Sequence, residues 1–136
     1  GLEKDLLEGK LAVRALPEAW NAGLADRLEV RPANDTEGCL QDIHWAKGSF
    51  GYFPTYAIGG LIAAQLWESL RARIPDVDTQ VAAGDFSGIT RWLGEQVHAH
   101  GARLTLQELM KAATGKPLGA QAALRYLEAK YVEDTP

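Results

Sequence analysis

The sequence predicts an all-α protein, and three observations carry that prediction. Apolar residues recur at spacings of three and four, helix caps and turn formers punctuate those stretches, and no run alternates with the period of two that a half-buried strand requires. With 136 residues, 46% of them hydrophobic, the chain is long enough to enclose a core. No repeat, linker or low-complexity stretch divides it, so residues 1–136 read as a single helical segment.

Each element has its own local reason. Residues 2–10 read as an acidic amphipathic helix. Pro17 suits a first helical position, and Trp20, Leu24 and Leu28 fall at spacings of four, so residues 17–28 predict a core-facing helix. Residues 29–50 carry Pro32, Asn34, Asp35, Gly38 and Gly48 and read as a long loop with one helical turn around residues 37–43. Loops of that length within a domain usually serve function, and the aromatic content of this one opposes disorder.

From Pro54 to Arg73 a long helix is expected, with Ile58, Leu61, Ile62, Leu66 and Leu70 inward and Glu68, Arg71 and Arg73 outward. Gly59 and Gly60 each cost about 1 kcal/mol there relative to alanine, which a close helix approach or a bend would explain. If the helix begins at Pro54, Tyr56 sits in its first turn and Tyr52 in the preceding loop; if it begins near Phe50, the two phenols stack at i and i+4. Ile89, Trp92, Leu93 and Val97 form a stripe on a helix over residues 86–99, ended by Gly101. Thr105 and Glu108 form a capping box, and Gly115 and Pro117 stop the helix that follows. A last helix over residues 119–131 is expected to bury Leu124, Leu127 and Tyr131.

Composition excludes several classes of function. A net charge of −4 with no basic stripe argues against nucleic acid, whose recognition relies on clustered Lys and Arg. The longest apolar run, residues 57–66, is too short and too interrupted to span a bilayer. A single cysteine, Cys39, excludes an internal disulfide framework, reads as a small buried residue and fits a reducing compartment, so a soluble cytoplasmic protein is expected. The sole methionine is Met110, and the chain opens inside a helical pattern without a cap, which predicts a piece of a longer protein.

Residues 38–56 concentrate a carboxylate, an imidazole, two phenols and an indole, groups that need partners when buried. The set Gly38-x-x-Gln41-Asp42-x-His44-Trp45, then Gly48, then Gly51-Tyr52-Phe53-Pro54-Thr55-Tyr56, resembles the C-terminal signature of the carboxypeptidase Taq family of zinc metallocarboxypeptidases. The resemblance extends to Leu2-Glu3-Lys4, to Leu16-Pro17-Glu18-Ala19-Trp20-Asn21, to residues 59–65, and from Gly84-Asp85-Phe86-Ser87 on to Tyr126-Leu127-Glu128. It covers nearly the whole chain, as the last quarter of a family member. Two departures are Gly59-Gly60, where relatives often carry Asn, and Cys39, at a position more often aliphatic.

The resemblance implies a mainly helical, zincin-like parent that removes C-terminal amino acids from peptides, uses zinc and forms a homodimer. Such enzymes hold the metal on a His-Glu-x-x-His helix and a distal Glu. The histidines here are His44, His98 and His100, no two of them four apart, so the metal ligands are expected upstream and this chain is expected to bind none and to be inactive alone. His98 and His100 diverge on a helix and read as a solvent-facing helix end.

Peptide hydrolysis passes through a tetrahedral oxyanion that needs hydrogen-bond donors. The resemblance places His44 and Tyr56 as those donors and Tyr52 as the group that positions the substrate's terminal carboxylate. Gln41 and Asp42 are expected to support them, Asp42 by fixing the imidazole, although i and i+2 is a poor spacing for contact on a helix and makes an upstream Arg its alternative partner. Trp45, Phe50 and Phe53 read as wall and core. The competing reading is a stand-alone helical module for peptide binding or dimerisation, without chemistry.

Overall fold

The computed structural model describes residues 1–133, and among them seven α-helices joined by short turns account for the regular structure, with no strand. The residues group into two compact units, Gly1–Pro54 and Thr55 onward.

The first unit begins with helix α1 (Leu2–Leu7). It stops short of the expected residue 10 because Gly9 takes a left-handed φ of 70°, and the N–H groups of Gly9 and Lys10 fold back to the carbonyls of Leu6 and Asp5. After a 3-10 turn at Val13–Ala15, α2 (Leu16–Leu28) carries Pro17 in its first turn and ends at Glu29, whose φ of 57° breaks the helix. Helices α1 and α2 touch, and α2 also contacts the 3-10 turn Cys39–Gln41. Cys39 is buried there as expected, but Leu28 is exposed, correcting its assignment to a core face: it lies at the last helical position, where the chain turns away.

Gly38 sits where the turn runs close to α2. A β-carbon at that position would lie 3.1 Å from Oδ1 of Asn21 on α2 and 3.3 Å from the Asn34 carbonyl. A side chain there would push the loop and α2 apart by a few tenths of an ångström. A further 3-10 turn at Trp45–Lys47 closes on Gly48, whose φ is 71°.

The second unit is built on α3 (Pro54–Arg73), followed by α4 (Val77–Ala82), α5 (Ser87–Gln96), α6 (Leu106–Thr114) and α7 (Gln121–Glu128). Leu70, Val77, Met110 and Ala122 are its buried apolar residues. Leu66, Trp67 and Leu70 of α3 line a common depression with Ile89, Trp92 and Leu93 of α5, so the expected α5 stripe does face α3. Nothing fills the space a β-carbon would take at Gly59 or Gly60, so no close helix approach among the described residues accounts for them.

Gln65, the one polar residue among the buried positions described, ties α3 to the α6–α7 connection. Its amide nitrogen faces Thr114 Oγ1 at 2.8 Å and the carbonyls of Lys116 and Pro117 at 3.1 Å, while its oxygen accepts the Gly119 N–H at 3.1 Å. The Thr105–Glu108 capping box starts α6 and Gly115, at φ 80°, ends it, both as expected.

Two expectations are corrected here. Helix α5 ends at Gln96, and residues 98–100 form a separate 3-10 turn before Gly101. Leu124, Leu127 and Tyr131 are exposed rather than buried; α7 buries Ala122 instead, and the chain past Glu128 widens into a π turn at Ala129–Glu133. Ile58, expected inward, is also exposed, as is all of residues 51–60.

Candidate active site around His44

The site grows from a local turn. Asp42 follows the Cys39–Gln41 turn with φ −80° and ψ 105°, an extended conformation in which residues i and i+2 share a side. Its Oδ1 accepts the backbone N–H of His44 at 2.7 Å and lies 2.9 Å from Nδ1 of the His44 ring. The objection that i and i+2 diverge applies to helices, and the chain is not helical here; His44, not an arginine, is the partner this chain gives Asp42. Only 6% of the Asp42 side chain and 16% of the His44 side chain are exposed.

Two aromatic rings complete the setting of the imidazole. Tyr52 stacks on it with centroids 5.4 Å apart and planes inclined by 23°, and Phe53 meets it edge-on at 5.2 Å. Gly51, at φ 70°, turns the backbone immediately before Tyr52. Phe50 and Phe53 are each more than half exposed, which corrects their reading as core, while Phe53 still packs against His44.

The remaining sequence-derived residues are placed as follows. Gln41 is exposed and donates from Nε2 to the Thr36 carbonyl at 2.5 Å, so it fastens its own loop rather than the imidazole. Tyr56 lies in the first turn of α3, which begins at Pro54, with 59% of the residue exposed. The structure therefore selects the arrangement in which Tyr52 belongs to the loop and Tyr56 to the helix. His98 and His100 sit on the 3-10 turn after α5.

Sequence reasoning missed Glu3. Its Oε2 accepts the Trp45 indole N–H at 2.7 Å and its Oε1 accepts the Gly51 N–H at 2.6 Å. Trp45 meets Trp20 of α2 in a T-shaped contact with centroids 6.3 Å apart. The one signal that could have pointed to Glu3 was its place in the Leu2-Glu3-Lys4 segment.

The Asp42 carboxylate engages Nδ1 and so fixes the orientation of the ring, and an imidazole is a group that can donate a hydrogen bond. Tyr52 adds a phenol, its ring centroid 5.4 Å from that of the imidazole. The arrangement can therefore orient and polarise a carbonyl or bind a carboxylate. Among the described residues no three His, Cys, Asp or Glu side chains form a group that could hold a metal ion.

The family described as Carboxypeptidase Taq (M32) metallopeptidase matches residues 1–131 of the chain. Carboxypeptidase 1 of Bacillus subtilis is 42% identical over 130 residues, which cover 96% of this chain and 26% of that protein. Thermostable carboxypeptidase 1 of Pyrococcus furiosus is 41% identical over 131 residues, again 96% and 26%. The crystal structure of an M32 carboxypeptidase from Deinococcus radiodurans superposes with a TM-score of 0.89 at 43% identity, covering 97% of this chain and 27% of that one. A structure of the Pyrococcus furiosus carboxypeptidase gives 0.90 at 41% identity. The chain thus spans about a quarter of the length of the curated relatives it matches.

Proposed function

Because this chain belongs to the carboxypeptidase Taq (M32) family of metallopeptidases, we propose that it forms the C-terminal part of a zinc-dependent carboxypeptidase that releases C-terminal amino acids from peptides. The zinc site, with its His-Glu-x-x-His helix and distal Glu, is assigned to the remainder of the parent protein, and residues 1–136 alone are inactive. The parent works as a homodimer in the cytoplasm.

Within that enzyme the chain supplies donors and orientation. Tyr56 donates a hydrogen bond to the oxygen that becomes negative as the peptide carbonyl turns tetrahedral, a donor worth about 3 kcal/mol in the transition state, and His44 serves the scissile region. Tyr52 positions the substrate through its terminal carboxylate. Asp42 holds Nδ1 of His44 and so fixes the orientation of the ring. Gln41 maintains the loop that carries them.

The observation that carries the residue assignment is the Asp42–His44–Tyr52 group, in which a nearly buried carboxylate orients an imidazole capped by a phenol. The carboxylate on one edge and the half-exposed ring on one face hold the imidazole in a single orientation. The test is the rate of C-terminal amino-acid release by the intact parent, with and without Tyr56→Phe, at equal metal content. A fall of about 100-fold, or about 2.7 kcal/mol, supports the donor role. An unchanged rate leaves Tyr56 as scaffold, and an intact parent without activity favours a peptide-binding module.

A further inference from the structure

We propose that Glu3 is a positioning residue for the reaction, acting through Trp45 and Gly51 to fix the stack of Tyr52 on His44; this rests on the catalytic reading of His44. Trp45 directly follows His44 in the chain, and Gly51 directly precedes Tyr52. The two oxygens of one carboxylate take one N–H from each, at 2.7 and 2.6 Å. Glu3 therefore closes the segment from Trp45 to Gly51 like a staple, and the two residues just outside the staple are the ones whose rings lie 5.4 Å apart.

The chemistry requires a carboxylate at that point. Both partners are N–H donors, one of them a backbone group whose direction is set by the left-handed φ of 70° at Gly51. Two acceptor oxygens on one rigid plane satisfy both, and charge-assisted hydrogen bonds are the shorter and stronger kind. An amide of the same size offers only one oxygen and turns an NH2 group toward the other donor. The loop's own backbone bonds, from the Lys47 and Ser49 N–H groups to the His44 carbonyl and from Gly48 to that of Trp45, tie its first half together and do not involve Gly51. The staple comes instead from α1, forty-two residues earlier in sequence than Trp45.

Displacement of a positioned group by about 1 Å can cost about 100-fold in rate. Glu3→Gln, which removes one of the two contacts without changing size, is expected to lower kcat/KM of the intact parent by about tenfold, with unchanged metal content and melting temperature. The loss is expected in both parameters, because Tyr52 governs substrate positioning and His44 the reacting oxygen: KM rises and kcat falls. A merely structural glutamate would change the yield of folded protein and leave both constants per folded molecule as they were.

The discriminating measurement is a double-mutant cycle of Glu3→Gln with His44→Ala in the intact parent. If Glu3 acts through His44, Glu3→Gln costs little further kcat once His44 has been removed. Fully additive losses, or a Glu3→Gln enzyme with normal kcat and KM, overturn the positioning role while leaving His44 catalytic. A His44→Ala parent of undiminished rate overturns the catalytic reading itself, and the proposal with it. Should Glu3→Gln fail to fold, Trp45→Phe removes one of the same two contacts from the other end and is expected to reproduce the same cycle with His44→Ala.

Discussion

The Asp42 carboxylate and the His44 ring meet at 2.9 Å across a two-residue turn in which the same oxygen also accepts the His44 backbone N–H. Backbone and side chain of His44 are thus referred to a single atom, so the turn itself fixes one edge of the imidazole. Asparagine can retain that turn, since its Oδ1 still accepts the backbone N–H, but it brings no charge to the ring. Asp42→Asn is therefore expected to keep the melting temperature of the intact parent while lowering kcat by about 10- to 100-fold, the usual range for groups that orient a functional histidine. Steady-state kinetics beside a thermal melt check it; a variant with full activity would reduce Asp42 to a turn former.

Tyr52 offers two separable contributions, its ring on His44 and its hydroxyl. Tyr52→Phe keeps the stack and removes only the hydroxyl. If that hydroxyl binds the substrate carboxylate, KM rises by roughly tenfold or more, as expected for a hydrogen bond to a charged group, and kcat stays within about twofold. Tyr52→Leu removes the stack as well and should lower kcat. Equal kinetics for wild-type and Tyr52→Phe enzyme would assign the residue to packing alone.

The parts of this chain that were legible in the sequence are those whose cause is local. Pro54 at a helix start, the Thr105–Glu108 box and the glycine stop at Gly115 each act within one turn, and the structure has all three. The short helix α4 lay hidden because six residues give too little period to register. Periodicity reports which residues share a face, not what covers it, which is why Leu124 and Leu127 were placed in a core they do not join. The Asp42–His44 contact was doubted on a helical spacing rule that an extended turn does not obey. Glu3 and Gln65 make contacts with residues 42 to 54 positions away, and a single polar side chain carries no pattern that points so far.

Gln65 provides a test of the second unit's stability. Its amide serves Thr114, Lys116, Pro117 and Gly119 at once, so Gln65→Leu leaves a backbone N–H and two carbonyls without that partner. Each unsatisfied group costs about 1–3 kcal/mol, partly relieved by loop adjustment, so a loss of about 2–4 kcal/mol is expected in chemical denaturation. Gln65→Glu should be worse at neutral pH, because it turns a second oxygen toward three acceptors, and should recover as acid protonates it. A Gln65→Leu protein as stable as the wild type would mean that water replaces the amide.

The α6 cap predicts a pH dependence with a definite sign. Hydrogen bonds from the Thr105 hydroxyl and backbone N–H hold the Glu108 carboxyl below its ordinary value of about 4.5. A carboxyl lowered in the folded state stabilises that state fully above its unfolded value, and the contribution disappears as pH falls through the lower folded value. Glutamine at the same position can still accept the Thr105 N–H but does not titrate. The Glu108→Gln variant should therefore lose less stability than the wild type between about pH 5 and pH 3, other carboxylates cancelling in the difference. Thermal melts of both proteins across that range provide the comparison. Parallel curves would show that ionised Glu108 contributes nothing to the cap that the amide does not.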